Sequence, residues 1–129
     1  MTQPMTPDAF NAFCASLPAT SHVVQWGGAD VWKVGGRKDG KVFAIGWFGH
    51  GDLAGITFKT SDLAYEVLRE QPGLRPAPYF ASRGMKWIQQ YDEPGLSDDA
   101  LTAHLAESHR LASLTLTKKR QRDLKLYQD

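Results

Sequence analysis

Four short runs of β-branched and aromatic residues, between His22 and Lys59, constrain the fold more than any other feature of the sequence. The runs are "HVVQW", "VWKV", "KVFAIGWF" and "LAGITFK", and the connectors "GGAD", "GGRKDG" and "GHGD" are typical of tight turns. Strands joined by so few residues must be antiparallel, because a parallel crossover needs a dozen or more residues. The alternation predicts one face for Trp32 and Val34, with Lys33 opposite, and a shared face for Phe43, Ile45 and Trp47.

Three helices are predicted around these strands. Thr6 is a capping residue, and Pro7 and Asp8 suit the first turn of a helix that begins there. The stretches "SDLAYEVLRE" and "SDDALTAHLAESHRLA" predict two more helices, the first capped near Thr60 or Ser61 and the second at Ser97. The residues expected to face inward are Phe10, Phe13, Cys14, Leu17, Leu63, Ala64, Val67, Leu68, Leu101, Leu105, Ser108 and Ala112.

A fifth strand in "MKWIQQY" completes the order α-β-β-β-β-α-β-α. This order predicts an α+β two-layer sandwich, in which an antiparallel sheet of about five strands has helices packed on one face. A length of 129 residues and 42% hydrophobic residues favour one domain over 1–129. We expect its core at about 6–117 and a basic tail at 118–129, which forms a short final helix with Leu124 and Tyr127 inward.

Composition and motifs point away from an enzyme. Cys14 is the one cysteine and lies on the apolar stripe of the first helix, so we expect a core thiol, no disulfide and a reducing compartment. No secretory signal or membrane span is apparent, which predicts a soluble, cytoplasmic chain. "GHGDLA" fits a dinucleotide fingerprint but precedes a strand, which favours a hairpin turn. We therefore predict no catalytic residue, no cofactor and no metal, with solvent-facing histidines at His22, His50, His104 and His109.

The segment "PGLRPAPYFASRGMKWIQ", Pro72 to Gln89, mixes prolines and glycines with aromatic and basic residues. Two interpretations stay open: a loop held against the core by its aromatics, or a surface that grips an anion. Tyr79 and Trp87 lie beside cations here, as in sites where bases stack on aromatic rings. The aromatic residues expected in the core are Trp26, Trp32, Phe43, Trp47 and Phe58.

Positive charge is gathered into three groups, although the net charge is only +1. One group surrounds the "GGRKDGK" turn, the second lies in the Pro-rich segment, and the third is in the tail. Four acids cluster separately where the third helix opens, namely Asp92, Glu93, Asp98 and Asp99. Segregation of this kind lets a near-neutral protein keep a basic face, although a solvated surface is the alternative.

Several motifs in order resemble the MmcQ/YjbR family of small bacterial proteins, over about residues 6 to 120. The most specific is a helix ending at Pro-Gly, followed by "RPAPY" and Lys-Trp, and "VWKVGG" and "ITFK" support it. The resemblance implies an α/β domain similar to frataxin-like proteins, with a "double wing" arrangement that is associated with DNA binding. The longer "GGRKDGK" turn and the tail after Lys119 depart from the family pattern. A frataxin-like iron role is disfavoured, because the first helix carries only Asp8. The matching positions are Lys33, Lys59, Arg75, Pro78, Tyr79, Lys86 and Trp87.

The resulting hypothesis is a monomeric, non-enzymatic protein that binds double-stranded DNA through phosphates. The alternative is a protein- or small-ligand-binding module with a groove next to the Pro72–Trp87 segment. The candidate nucleic-acid-binding residues are Lys33, Arg37, Lys38, Lys41, Lys59, Arg75, Tyr79, Arg83, Lys86, Trp87, Lys118, Lys119 and Arg120.

Overall fold

The computed structural model describes residues 5–36, 38–49 and 54–126. Its helices are α1 (Pro7–Ser16), α2 (Asp62–Leu68), α3 (Asp98–Ser113) and α4 (Lys118–Asp123). Its strands are β1 (Thr20–Gln25), β2 (Ala29–Val34), β3 (Lys41–Trp47), β4 (Gly55–Lys59), β5 (Leu74–Pro76) and β6 (Trp87–Gln90).

The strands form one antiparallel sheet in the order β1-β2-β3-β4-β6-β5. This confirms the α+β architecture, with six strands rather than about five. The additional strand, β5, lies inside the Pro-rich segment and pairs Arg75 with Gln89. It has only three residues and ends at Pro76 on the sheet edge, where a residue without a backbone N–H is tolerated.

Helix capping follows the sequence signals. The side-chain oxygens of Thr6, Ser61 and Ser97 each accept a hydrogen bond from the backbone N–H three residues later. Each bond satisfies one of the amides left without a partner in the first turn of a helix. The predicted helix starts are therefore confirmed at all three positions. The tail contributes the fourth helix, whose cap is Thr117.

The main core lies between the sheet and the helices that cover one of its faces. Phe10 and Cys14 of α1 and Leu101 and Leu105 of α3 are fully buried there. Burial raises the pKa of the Cys14 thiol far above its usual range, so the residue behaves as a small apolar side chain. From the sheet the core receives Trp32, Val34, Phe43, Ala44, Ile56, Phe58 and Ile88.

A register shift in β3 overturns one predicted face. The pairing between β2 and β3 shifts between Trp32 and Lys33, so that one extra residue is accommodated in β3. Phe43 consequently packs in the main core, whereas Ile45 lies on the opposite face of the sheet with Val31. Phe43 and Ile45 do not share a face, because a β-bulge interrupts the two-residue period.

Three further burial predictions are wrong. Leu63 and Val67 of α2 are 77% and 52% exposed, whereas Leu68 is buried as predicted and Tyr65 is buried beside it. Trp26 is 64% exposed, because it lies in the β1–β2 turn rather than in a strand. Leu124 of the tail does pack against the core, and Tyr127 lies outside the described residues.

His104 and His109 do not face solvent as predicted. His109 is fully buried, and its Nε2 donates a hydrogen bond of 2.8 Å to the carbonyl of Pro18. The ring of His104 stacks on Phe58, with the ring centroids 5.7 Å apart. Burial lowers the pKa of both imidazoles from the ordinary 6.5, because the protonated ring would lose hydration.

We expect stability to fall as the pH is lowered below about 6.5, the pKa of an unperturbed histidine. Below this pH the histidine of the unfolded chain becomes protonated, whereas buried His109 of the folded protein stays neutral. The contribution of His109 to the free energy of unfolding is therefore fully present above pH 6.5 and is lost as the pH falls toward the lower pKa of the folded state. Urea denaturation between pH 7 and 5 should show this, with a contribution from His109 of at most about 1.4 kcal/mol per pH unit. His109→Gln keeps a donor but cannot titrate, so its slope should be shallower. Equal slopes would assign the effect to other groups.

Candidate nucleic-acid interface

The antiparallel register brings four strand termini to one end of the sheet. The last residue of β2, Val34, pairs with the first residue of β3, Lys41. The last residue of β4, Lys59, pairs with the first residue of β6, Trp87. The turn after β2 and the segment before β6 therefore open at the same end. We call this the basic end, defined by Lys33, Lys38, Lys41, Lys59, Arg83 and Lys86.

Carboxylates gather at the opposite end of the sheet. Asp92 and Glu93 lie two and three residues after the last residue of β6, Gln90. The amide oxygen of Gln90 accepts a hydrogen bond of 2.7 Å from the N–H of Leu96, which holds the start of α3 close by. We call this the acidic end, defined by Asp92, Glu93, Asp98 and Asp99. The basic group and this acidic group therefore lie at opposite ends of the strands, and Asp39 and Asp62 are acids placed beside the basic end in the described chain.

The 77–86 segment is an ordered cover on the face of the sheet away from the helices. The ring of Phe80 stacks on Trp87 with centroids 4.7 Å apart and planes inclined by 14°. Backbone hydrogen bonds from Ala81 to Ala77, 2.9 Å, and from Met85 to Phe80, 3.0 Å, close the turn. The aromatic residues therefore do hold this loop against the core.

Trp87 and Tyr79 have opposite environments within this segment. Trp87 is only 5% exposed beneath Phe80, which leaves its ring no open face for a base. Tyr79 is 64% exposed on the outer side of the loop. Trp87 thus supports the surface, and Tyr79 belongs to it. The role of Phe80 as anchor was missed, because its sequence context does not distinguish it from its exposed neighbour.

The cations of the basic end lie on both sides of the sheet. Lys33 alternates with the core residues Trp32 and Val34, which places it on the face away from the helices. Lys59 is paired with Trp87 on that same face. On the helix side, the ammonium of Lys86 lies 5.0 Å from the centre of the Tyr65 ring. Cations therefore wrap around the end of the sheet instead of covering one flat face.

The tail joins the basic end through α4. The guanidinium of Arg120 donates a hydrogen bond to the carbonyl of Gly35, in the turn after β2. The buried amide of Gln121 donates to the carbonyl of Leu116, 2.9 Å away, and so fixes the start of α4. Lys119 pairs with Asp123 at 2.9 Å, and Lys118 is exposed. Of the three predicted tail residues, Arg120 therefore has a structural role, because it connects α4 to the turn after β2.

Two other predicted residues do not join this group. Arg75 lies in β5, where its Nε donates to Gln89 at 2.9 Å. Its guanidinium lies 4.3 Å from the centre of the Tyr91 ring, toward the acidic end. Arg37 lies outside the described residues. Within residues 5–36, 38–49 and 54–126, no three side chains of the His, Cys, Asp or Glu type gather as a metal site, and no helix is long and apolar enough to cross a bilayer.

The fold and this end of the sheet define a small α+β protein with a charge-segregated antiparallel sheet. The sequence model of the YjbR family matches residues 15–111, and the chain belongs to that family. This confirms the resemblance drawn from the motifs. The crystal structure of Deinococcus radiodurans protein DR2400, described with a DUF419 domain, is similar in fold with a TM-score of 0.82. It is 20% identical over 98% of this chain and 94% of that one. A comparison with curated proteins found no match.

Proposed function

We propose that this chain is a non-enzymatic DNA-binding protein of the cytoplasm, active as a monomer, which holds duplex DNA by its phosphates. One observation carries the proposal. Five cations of the basic end lie at the strand termini or in the loop before β6. Among the described residues, no carboxylate forms an ion pair with any of these five. The cations with this property are Lys38, Lys41, Lys59, Arg83 and Lys86.

The spacing of these cations suits a duplex. Three strand spacings separate β2 from β6, which amounts to roughly 14 Å at about 4.8 Å each. The major groove of B-DNA is about 12 Å wide. Cations at the β2–β3 turn and at the start of β6 can therefore reach phosphates on both sides of one groove.

The binding should be weak and largely independent of sequence. Phosphate contacts position a protein on DNA but carry no sequence information, and non-specific dissociation constants are on the order of 10⁻⁴ to 10⁻⁶ M. With a net charge of +1, the chain offers little additional attraction beyond the basic end. A discriminating contact with base edges is not part of this proposal.

The test is anisotropy of a labelled random-sequence duplex, titrated at about 50 and 200 mM salt. Affinity should fall roughly 40-fold if three cations contact phosphates and roughly 500-fold if five do, because each contact adds about 0.9 to the salt slope. An absence of binding at the lower salt, or binding that salt leaves unchanged, would refute the proposal.

One pocket among the described residues bears on the alternative, a ligand groove beside Pro72–Trp87. A pocket of about 230 Å³ lies at the acidic end, between residues such as Phe48, Tyr91 and Pro94. None of its lining residues belongs to the 72–87 segment. Its volume is below the roughly 300–1,000 Å³ that is usual for small-molecule sites.

A further inference from the structure

Tyr79 has a backbone conformation that is rare for a bulky residue. Its φ is +73°, in the left-handed region that favours glycine. Its carbonyl accepts a hydrogen bond of 2.6 Å from the hydroxyl of Ser82, and the next N–H, that of Phe80, bonds to the carbonyl of Pro78 at 2.8 Å. The fold thus holds a large aromatic ring outward, at a position where a small residue would be less strained. Such strain is concentrated at functional sites.

The neighbours of this ring leave it open to a partner. The rings of Tyr79 and Phe80 pack edge to face, with their centroids 5.5 Å apart and their planes at 82°. The guanidinium of Arg83 lies 5.2 Å from the centre of the Tyr79 ring. Since the residue remains 64% exposed, the ring is braced and accompanied by a cation without being covered.

We propose that Tyr79 and Arg83 form a stacking platform for one unpaired base, which adds affinity for single-stranded DNA that duplex DNA does not gain. This rests on the proposed function, because the flanking cations must hold the strand. An exposed ring beside cations is the usual composition of a single-strand site. In a duplex, neighbouring base pairs cover both faces of every internal base, so Tyr79 gains a contact only with an unpaired one. The ring should add about 5- to 150-fold to single-strand affinity, the range found for one base–aromatic stack.

Trp26 provides a matched control within the same chain. It is also 64% exposed, and its φ of +50° is also positive. It follows the last residue of β1, Gln25, which pairs with the first residue of β2, so it projects at the end of the sheet away from the cations. An aromatic ring at this position should contribute nothing to DNA binding.

The experiment measures the affinity of the full chain for a labelled oligo(dT) and for a mixed-sequence duplex of the same length, by anisotropy at about 50 mM salt. Tyr79→Asn removes the ring and tolerates the left-handed backbone. It should lower oligo(dT) affinity at least fivefold and change duplex affinity less than twofold. Tyr79→Phe keeps the ring and should match the wild type on both probes, as should Trp26→Asn.

The outcomes separate this inference from the proposed function. Equal loss on both probes in Tyr79→Asn, or no loss on oligo(dT), would overturn the stacking platform while DNA binding stands. A loss in Tyr79→Phe equal to that in Tyr79→Asn would assign the effect to the hydroxyl and would also overturn it. Failure of the wild-type chain to bind either probe would refute the proposed function itself.

Discussion

Replacement of Arg83 and Lys86 together by alanine is expected to reduce the salt slope of duplex binding by up to about two units. Each phosphate contact contributes about 0.9 to that slope, and at 0.1 M salt the loss of two contacts corresponds to roughly 60-fold in affinity. Both cations lie at the basic end, beside the rings of Tyr79 and Tyr65. Loss of those ring contacts costs only about 0.5–1 kcal/mol each at exposed positions, so the fold should persist. Anisotropy titrations at several salt concentrations measure the slope.

A charge-matched variant controls for net charge. Arg69 and Arg110 each already pair with a glutamate on their own helix, at 3.9 and 2.7 Å. Replacing both by alanine removes the same two positive charges, yet we expect the salt slope to stay within about half a unit of the wild type, because each guanidinium is already paired with a carboxylate. If both double variants flatten the slope equally, overall charge rather than contact at the basic end governs binding.

Ser108→Ala is expected to lower the free energy of unfolding by about 2–6 kcal/mol. The fully buried hydroxyl of Ser108 donates to the carbonyl of Phe43, 2.6 Å away, and accepts from the N–H of Lys59, 2.8 Å away. It thereby bridges β3 and β4 beyond the Ala44–Phe58 pair, where the bulge leaves these two groups without a strand partner. The variant leaves these two buried backbone groups without a hydrogen-bond partner, and each such group costs about 1–3 kcal/mol. Urea denaturation measures the loss.

Ser113 is the matched control for this variant. It is also fully buried on α3, but its hydroxyl donates to a carbonyl of its own helix, that of Arg110. That carbonyl already accepts the N–H of Leu114 at 3.1 Å. Ser113→Ala therefore leaves no group newly unpaired and should cost less than about 1 kcal/mol. If the two variants cost the same, the hydroxyl of Ser108 does not bridge the strands.

Much of the fold was predictable, because its signals are local. The caps at Thr6, Ser61 and Ser97 depend on residues one turn away. The β1–β2 and β2–β3 turns depend on glycines with positive φ. The apolar stripe of α1, with Phe10 and Cys14 buried, is long enough for its period to identify the inward face. Signals of this range need no knowledge of the tertiary structure.

The errors arose where tertiary contacts decide. α2 is only seven residues long and carries apolar side chains on two sides. The spacing of its apolar residues therefore does not decide whether Leu63 or Tyr65 faces the core. The carbonyl of Phe43, at the bulge, accepts its hydrogen bond from a serine 65 residues away. The candidate site shows the same limit. The sequence identified which cations are candidates for the site. Their assembly into one basic end, however, depends on β6 pairing with β4, which no local pattern in either strand specifies.

The separation of the basic end from the acidic end along the strands gives the molecule an electric dipole moment, although its net charge is only +1. A polyanion at a distance exerts little overall pull on a chain of net charge +1, but it exerts a torque. That torque turns the lysine-rich pole forward before contact, and repulsion of the aspartates and glutamates disfavours the reverse approach. Because added salt shortens the reach of the field to about 10 Å at 0.1 M, this alignment is confined to separations of about 10 Å or less.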